Sequence, residues 1–163
     1  MTDTKYGQYI LKDAVKIPVL KTRTHLPSVS GREEFWPGIT GMNCNFAFNC
    51  VTEPYLLPDP PHKHDFDEYL FFIGGNLLNM QEFGAEIEIA LGEEWEVHTI
   101  NSTSIVYIPR GLQHCPVNVK KVDKPFLFGH IMLTAKYSTD RSTEDLYTHQ
   151  KTQPQSEASA TKA

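Results

Sequence analysis

Between residues 43 and 50 apolar and mostly polar side chains alternate: Cys44, Phe46, Phe48 and Cys50 fall on one face of an extended chain, and Asn43, Asn45, Ala47 and Asn49 on the other. A period of two predicts a half-buried strand. Ala85, Ile87, Ile89 and Leu91 alternate with Glu86, Glu88 and Ala90 in the same way. Gly92-Glu93-Glu94 then turns the chain toward Trp95, Val97 and Thr99, which predicts a hairpin. Further strands are expected over residues 69–73, 104–108, 117–119 and 126–133, most of them bounded by Gly, Pro, Asn or Asp. No long apolar period of 3.6 residues interrupts this region, so the fold class is all-β, a sandwich or barrel.

The pattern divides the 163-residue chain into three parts. Residues 1–40 mix short apolar pieces with turn-rich stretches and are expected to pack on the barrel, or on a partner subunit, as an N-terminal extension. Residues 41–137 form the barrel. Residues 138–163 are almost devoid of apolar side chains and are expected to be a flexible tail, because burial there cannot offset ordering entropy. Both faces of residues 69–73 are apolar, with Leu70 and Phe72 on one side and Tyr69, Phe71 and Ile73 on the other. Something must cover that strand on each side, either the N-terminal segment or a second copy, so a homodimer is expected.

Composition narrows the partners. A net charge of −5, with no basic run longer than Lys120-Lys121, excludes an electrostatic footprint for nucleic acid. The polar start Met1-Thr2-Asp3-Thr4-Lys5-Tyr6 lacks a signal-like or membrane-spanning apolar block, which makes a cytoplasmic protein without a membrane partner the expectation. Cys44, Cys50 and Cys115 are odd in number and form no C-x-x-C pair, so they read as reduced thiols.

The chemistry concentrates in two stretches. In Pro60-Pro61-His62-Lys63-His64-Asp65-Phe66-Asp67-Glu68, the two histidines are two residues apart and share one face of a strand. Imidazoles suit borderline divalent metals. Glu68 would lie about 13 Å beyond His64 in an extended chain, too far for a shared ion. The chain must therefore bend at Asp65-Phe66-Asp67, where aspartates favour a turn. Glu68 is then either a ligand, a base, or a group orienting a histidine. In the second stretch, Pro109-Arg110-Gly111 predicts a tight turn that brings His114 up as the fourth ligand.

Taken together these residues resemble the cupin superfamily, whose two motifs are G-x5-H-x-H-x3,4-E-x6-G and G-x5-P-x-G-x2-H-x3-N. His62, His64, Glu68 and Gly75 match most of the first, and Pro109, Gly111, His114 and Asn118 most of the second. The opening glycines are replaced by Leu56 and Thr103, and residues 76–83 look like an insertion that would shape the pocket mouth. The resemblance implies a single jelly-roll-like double-stranded β-helix barrel. It also implies one divalent metal ion, iron, manganese, zinc, nickel or copper, on His62, His64, Glu68 and His114. It further implies an enzyme acting on a small organic molecule, aromatic, enolic or carboxylate. A dioxygenase is slightly favoured over an isomerase, lyase or decarboxylase with Glu68 as base, and a non-catalytic metal- or ligand-binding cupin is the alternative.

Other residues carry simpler expectations. Phe46, Phe48, Phe72 and Phe128 are either plain core or the lining of an apolar pocket. His130 reads as a core histidine with a possible role behind the ligands, and His98 as solvent-facing. His25 and His149 are expected in loop and tail. Cys115 should point away from His114 as a structural thiol, and Arg110 lies beside the proposed mouth, where it could pair with an anionic substrate.

Overall fold

The computed structural model describes residues 6–12, 15–16, 25–31, 39–57, 60–135 and 138–140. Ten strands follow a single 3-10 turn at Gly7–Tyr9: β1 (Val15–Lys16), β2 (His25–Ser30), β3 (Asn45–Val51), β4 (Tyr55–Leu56), β5 (Glu68–Gly74), β6 (Ala85–Leu91), β7 (Glu96–Ile100), β8 (Ser104–Ile108), β9 (His114–Val122) and β10 (Phe126–Met132). They form two antiparallel sheets, one in the order β1-β2-β3-β10-β5-β8 and the other β4-β9-β6-β7. The all-β expectation holds, and each strand predicted between residues 44 and 133 has its counterpart. The sheets face each other across a core that takes Val51, Leu70, Phe72, Ile108, Phe126 and Phe128 from one side and Ile87, Ile89, Ile100, Val117 and Val119 from the other.

Register decides which face of each strand is inside, and at β3 it selects the polar one. Val51, Asn49, Ala47 and Asn45 pair with Phe126, Phe128, His130 and Met132 of β10, so they share the inner face with that strand's core phenylalanines. Phe46 and Phe48 therefore face outward and line no internal pocket. The Phe48 ring packs on Phe71 of β5, with centroids 5.8 Å apart, and crosses Gly129, where a Cβ would collide with that ring. This cross-strand aromatic layer is why an outward face of a barrel strand can look like core in the sequence. It also covers part of the second apolar face of β5, whereas Ile105 and Tyr107 of β8 are 62% and 49% exposed on the same side.

Three local expectations are corrected. Trp95 does not begin the return strand: it lies in the turn at φ 58°, its N–H donates to the Gly92 carbonyl at 3.2 Å, and β7 starts at Glu96. His25 opens β2 rather than a loop, its backbone paired with Val51. Residues 76–83 follow the Gly74 end of β5, roughly 20 Å along the strand from Glu68, so they cannot shape a mouth at that residue. Thr103 ties this loop down. Its hydroxyl accepts from Gly74 N–H at 3.0 Å and donates to the Met80 carbonyl. A hydroxyl bridge thus stands where the second motif would have a glycine, and neither Thr103 nor Leu56 adopts a positive φ. His149 lies outside the described residues.

Candidate metal centre

The five buried polar or charged side chains of the described residues are Asn45, His62, His64, Glu68 and His114. Register gathers them at one end of the barrel: Met132 pairs with both Asn45 and Glu68, Glu68 pairs with Ile108 at the end of β8, and His62 bridges His114 at the start of β9.

The first stretch bends as its aspartates predict. Phe66 is buried and stacks on the His64 ring at 4.5 Å and 10°, so the apolar residue of the bend anchors it while both aspartates reach the surface side. The Asp67 carbonyl accepts from Leu133 N–H at 3.0 Å. The Asp67 carboxylate accepts from Arg110 twice, from the backbone N–H at 2.9 Å and from Nε at 3.3 Å. Those two bonds, the backbone one foremost, hold the Asp67 carboxyl below the usual carboxylate range. Arg110 thereby ties the second stretch to the first, with its guanidinium on Asp67.

The second stretch turns at Gly111, at φ +83°, where an L side chain would be strained. Gly111 N–H donates to the His64 carbonyl at 2.8 Å, and His62 and His114 exchange backbone bonds of 3.0 and 2.9 Å. His114 then depends on an irregularity. Cys115, Val117 and Val119 all belong to the core, so strict alternation would turn His114 outward. The register with β6 shifts between Ile89 and Leu91, and Cys115 takes φ 73°, which leaves both His114 and Cys115 buried. The expectation that the two point to opposite sides fails at this bulge, while the structural role of the thiol stands.

The result is convergent. One ring nitrogen from each of His62, His64 and His114 lies within 4.8 Å of the others. Glu68, 3% exposed, brings Oε2 to 3.3 Å from His114 Nε2 and 3.6 Å from His64 Nε2. Ligand atoms bound to one ion at about 2.0–2.2 Å stand about 3–3.5 Å apart; the Glu68 separations match this, and the imidazole nitrogens, within 4.8 Å, would draw in slightly around a shared cation. The opposite ring nitrogens are all engaged by carbonyls: His62 Nδ1 with Pro60 at 2.9 Å, His64 Nδ1 with Ser138 at 2.6 Å, and His114 Nδ1 with Leu112 at 3.1 Å. A carbonyl can only accept, so each Nδ1 carries a proton, and in the neutral ring each Nε2 presents a lone pair to the centre. Burial adds to this by pushing the His64 imidazole below its ordinary pKa, toward the neutral form a metal requires. The donor set and its tautomers thus fit a divalent ion.

Other candidates fall elsewhere. His130 faces the interior between Leu70 and Ala47, one inward position along from Met132. His98 is exposed beside Glu96, as expected. The three cysteines form no disulfide, and burial raises the Cys44 thiol. Sequence reasoning missed residues 138–140. Ser138 serves through its main-chain carbonyl, which no side-chain pattern could signal. These residues border a hollow of about 340 Å³ with Lys63, His64, Asp65 and Gly111. No described helix is long and apolar enough to cross a membrane.

No protein-family model matches the chain, and no curated relative matches it. Solved structures do. A tryptophan-to-phenylalanine variant of the oxalate decarboxylase of Bacillus subtilis matches at TM-score 0.49 and 11% identity over 81% of this chain and 31% of its own. A tryptophan-to-tyrosine variant of that enzyme matches at 0.48 and 11% over 78% and 29%. An oxalate oxidase matches at 0.49 and 13% over 76% and 58%. The chain spans about a third of the decarboxylase chains, and at this identity their activities say nothing of its own. The geometry gives a barrel of two antiparallel sheets, with the histidines of both stretches meeting at one of its ends and Glu68 against two of them.

Proposed function

We propose that this chain is a metal-dependent enzyme that holds one divalent ion on His62, His64, Glu68 and His114 and acts on a small polar organic molecule bearing a carboxylate or enolic oxygen. The observation that carries the reading is the convergence of three buried imidazoles and a buried carboxylate whose tautomers are already set for a cation. A structural histidine cluster would more simply pair its Nε2–H groups with carbonyls, whereas here the carbonyls take Nδ1 and leave Nε2 facing inward. When bound, the metal supplies a Lewis acid or, as iron or copper, a redox centre.

The chain's own residues do the rest. Carbonyl bonds orient the imidazoles before the metal arrives, which limits the reorganisation that binding requires. Glu68, at the start of β5 and against two imidazoles, is placed to ligate or to hold a proton removed from substrate. The inner face of the six-stranded sheet supports a polar substrate. His130 points inward beside Leu70 and Ala47, and Asn49 lies one inward position deeper, level with the stacked Phe72 and Phe128, 5.1 Å apart. With Phe46 and Phe48 outside, the case for an aromatic substrate loses half its residues, and with it the ground for preferring an oxygenase.

Elemental analysis of the purified protein, followed by assay of the metal-loaded form against small carboxylates and enols with dioxygen uptake recorded, tests this. Turnover that vanishes in His62→Ala and His114→Ala supports it, with dioxygen uptake and its incorporation into product assigning an oxygenase, and the absence of uptake an isomerase, lyase or decarboxylase. A fully loaded protein that binds such molecules without converting any of them is a binding cupin, and overturns it.

A further inference from the structure

The three imidazoles obtain their Nδ1 acceptors in two ways. His62 and His114 donate to carbonyls two residues upstream, Pro60 and Leu112, so wherever those stretches fold the acceptors come with them. His64 donates to the Ser138 carbonyl, 74 residues away, at 2.6 Å, the shortest of the three. That carbonyl is held in place from both sides of His64. Ser138 Oγ donates to Asp65 Oδ1 at 2.9 Å, Lys63 N–H donates to Asp140 Oδ1 at 3.1 Å, and Asp140 N–H returns a bond to the Lys63 carbonyl at 3.3 Å. The neighbours of His64 in sequence therefore grip the segment that grips His64. The Asp140 carboxyl is held below the usual range, chiefly by the Lys63 N–H, so it is an anion and a firm acceptor near neutral pH.

We infer that residues 138–140 are a positioning strap for the metal centre: docking them onto Lys63 and Asp65 sets the ring orientation and tautomer of His64, so that strap docking and metal binding are coupled. This rests on the reading that the cluster binds a metal. The physical argument is that an imidazole without its Nδ1 acceptor loses both the orientation and the tautomer that aim Nε2 inward, and removing such an acceptor commonly weakens metal binding about 10–100-fold. Among the described residues, the side-chain bonds that join the strap to Lys63 and Asp65 lie at the surface, so they can open without unfolding the barrel. Undocking would remove one wall of the hollow of about 340 Å³ that the strap lines together with Lys63, His64, Asp65 and Gly111. Coupling runs both ways, so metal must tighten the strap by the factor by which the strap tightens metal.

The test uses the full chain and removes the two side-chain anchors together, Asp65→Ala with Asp140→Ala, against the conservative pair Asp65→Asn with Asp140→Asn, which keeps an oxygen acceptor at each place. Zinc or manganese titration should give a dissociation constant about 10–100-fold weaker in the alanine pair. The asparagine pair should return most of the loss, and unfolding of the barrel should be unchanged in both. Proton spectra of the full chain should show slowly exchanging imidazole N–H signals for His62, His64 and His114. The alanine pair should lose that of His64 alone. Amide exchange at Lys63 and Asp140 should slow when metal is added. An alanine pair that binds metal as tightly as the parent and keeps the His64 signal overturns the strap. A parent that binds no metal overturns the proposed function instead, and the His64 signal still decides whether the strap holds that ring.

Discussion

The two ends of β5 are built on opposite principles. On its inner face the strand runs Glu68, Leu70, Phe72, Gly74, from a buried carboxylate to a glycine. At the Gly74 end the barrel is closed by hydrocarbon: Phe126 pairs with both Gly74 and Val51, and Phe83 packs on the Phe126 ring at 5.0 Å. At the Glu68 end it buries the three imidazoles, a carboxylate and the Asn45 amide, which donates to the Thr134 carbonyl at 2.9 Å. Burying polar groups is unfavourable unless each finds a partner, so this end contributes little to stability and is assembled from specific bonds. One end holds the fold and the other holds the chemistry.

Substitutions should separate the two ends. The largest effect on folding is expected from Phe126→Ala, which leaves a cavity in the apolar end and should cost about 3–5 kcal/mol in denaturant unfolding. Metal affinity per folded molecule should stay nearly unchanged. His114→Ala reverses the pattern: metal titration should show more than the about 100-fold loss typical of a supporting residue, with a smaller shift in the unfolding midpoint of the metal-free protein than Phe126→Ala gives. If both substitutions lower stability equally and neither spares the other property, the division of labour is wrong.

The smallest effect is on pH dependence. Burial holds His64 below its ordinary pKa of 6.5, so as the medium is acidified the unfolded chain takes up a proton before the folded one does. The contribution of His64 to the stability of the metal-free protein is therefore complete above about pH 6.5 and is lost as pH falls through the folded value. Unfolding midpoints measured from pH 7.5 downward should show this decline, and His64→Gln should flatten it. Metal affinity should fall over the same range, because protons compete for the Nε2 lone pairs. A metal content unchanged at about pH 4.5 would sink the ligand set.

Much of the site is legible in the order of the residues. The H-x-H spacing, the aspartates that bend the chain ahead of Glu68, and the Pro109-Gly111 turn ahead of His114 are local features, and local spacing controls them. What escapes such reading is set by partners far away in the chain. The inward face of β3 is easily misjudged because Phe46 and Phe48 look like core, and only the pairing with β10 shows Asn45 and Asn49 inside. The same limit hides the bulge at Cys115, which turns His114 against its expected alternation.

The sequence by itself determined the all-β class, the positions of the strands it predicted between residues 44 and 133 and the three histidines that converge, because period-two alternation and turn chemistry are written in neighbouring side chains. Only the tertiary structure decided which sheet faces are inside, how far the 76–83 loop lies from Glu68, and that the carbonyl of Ser138 fixes His64. Register and main-chain carbonyls carry no side-chain signature, so they become visible only when strands distant in the chain are brought side by side.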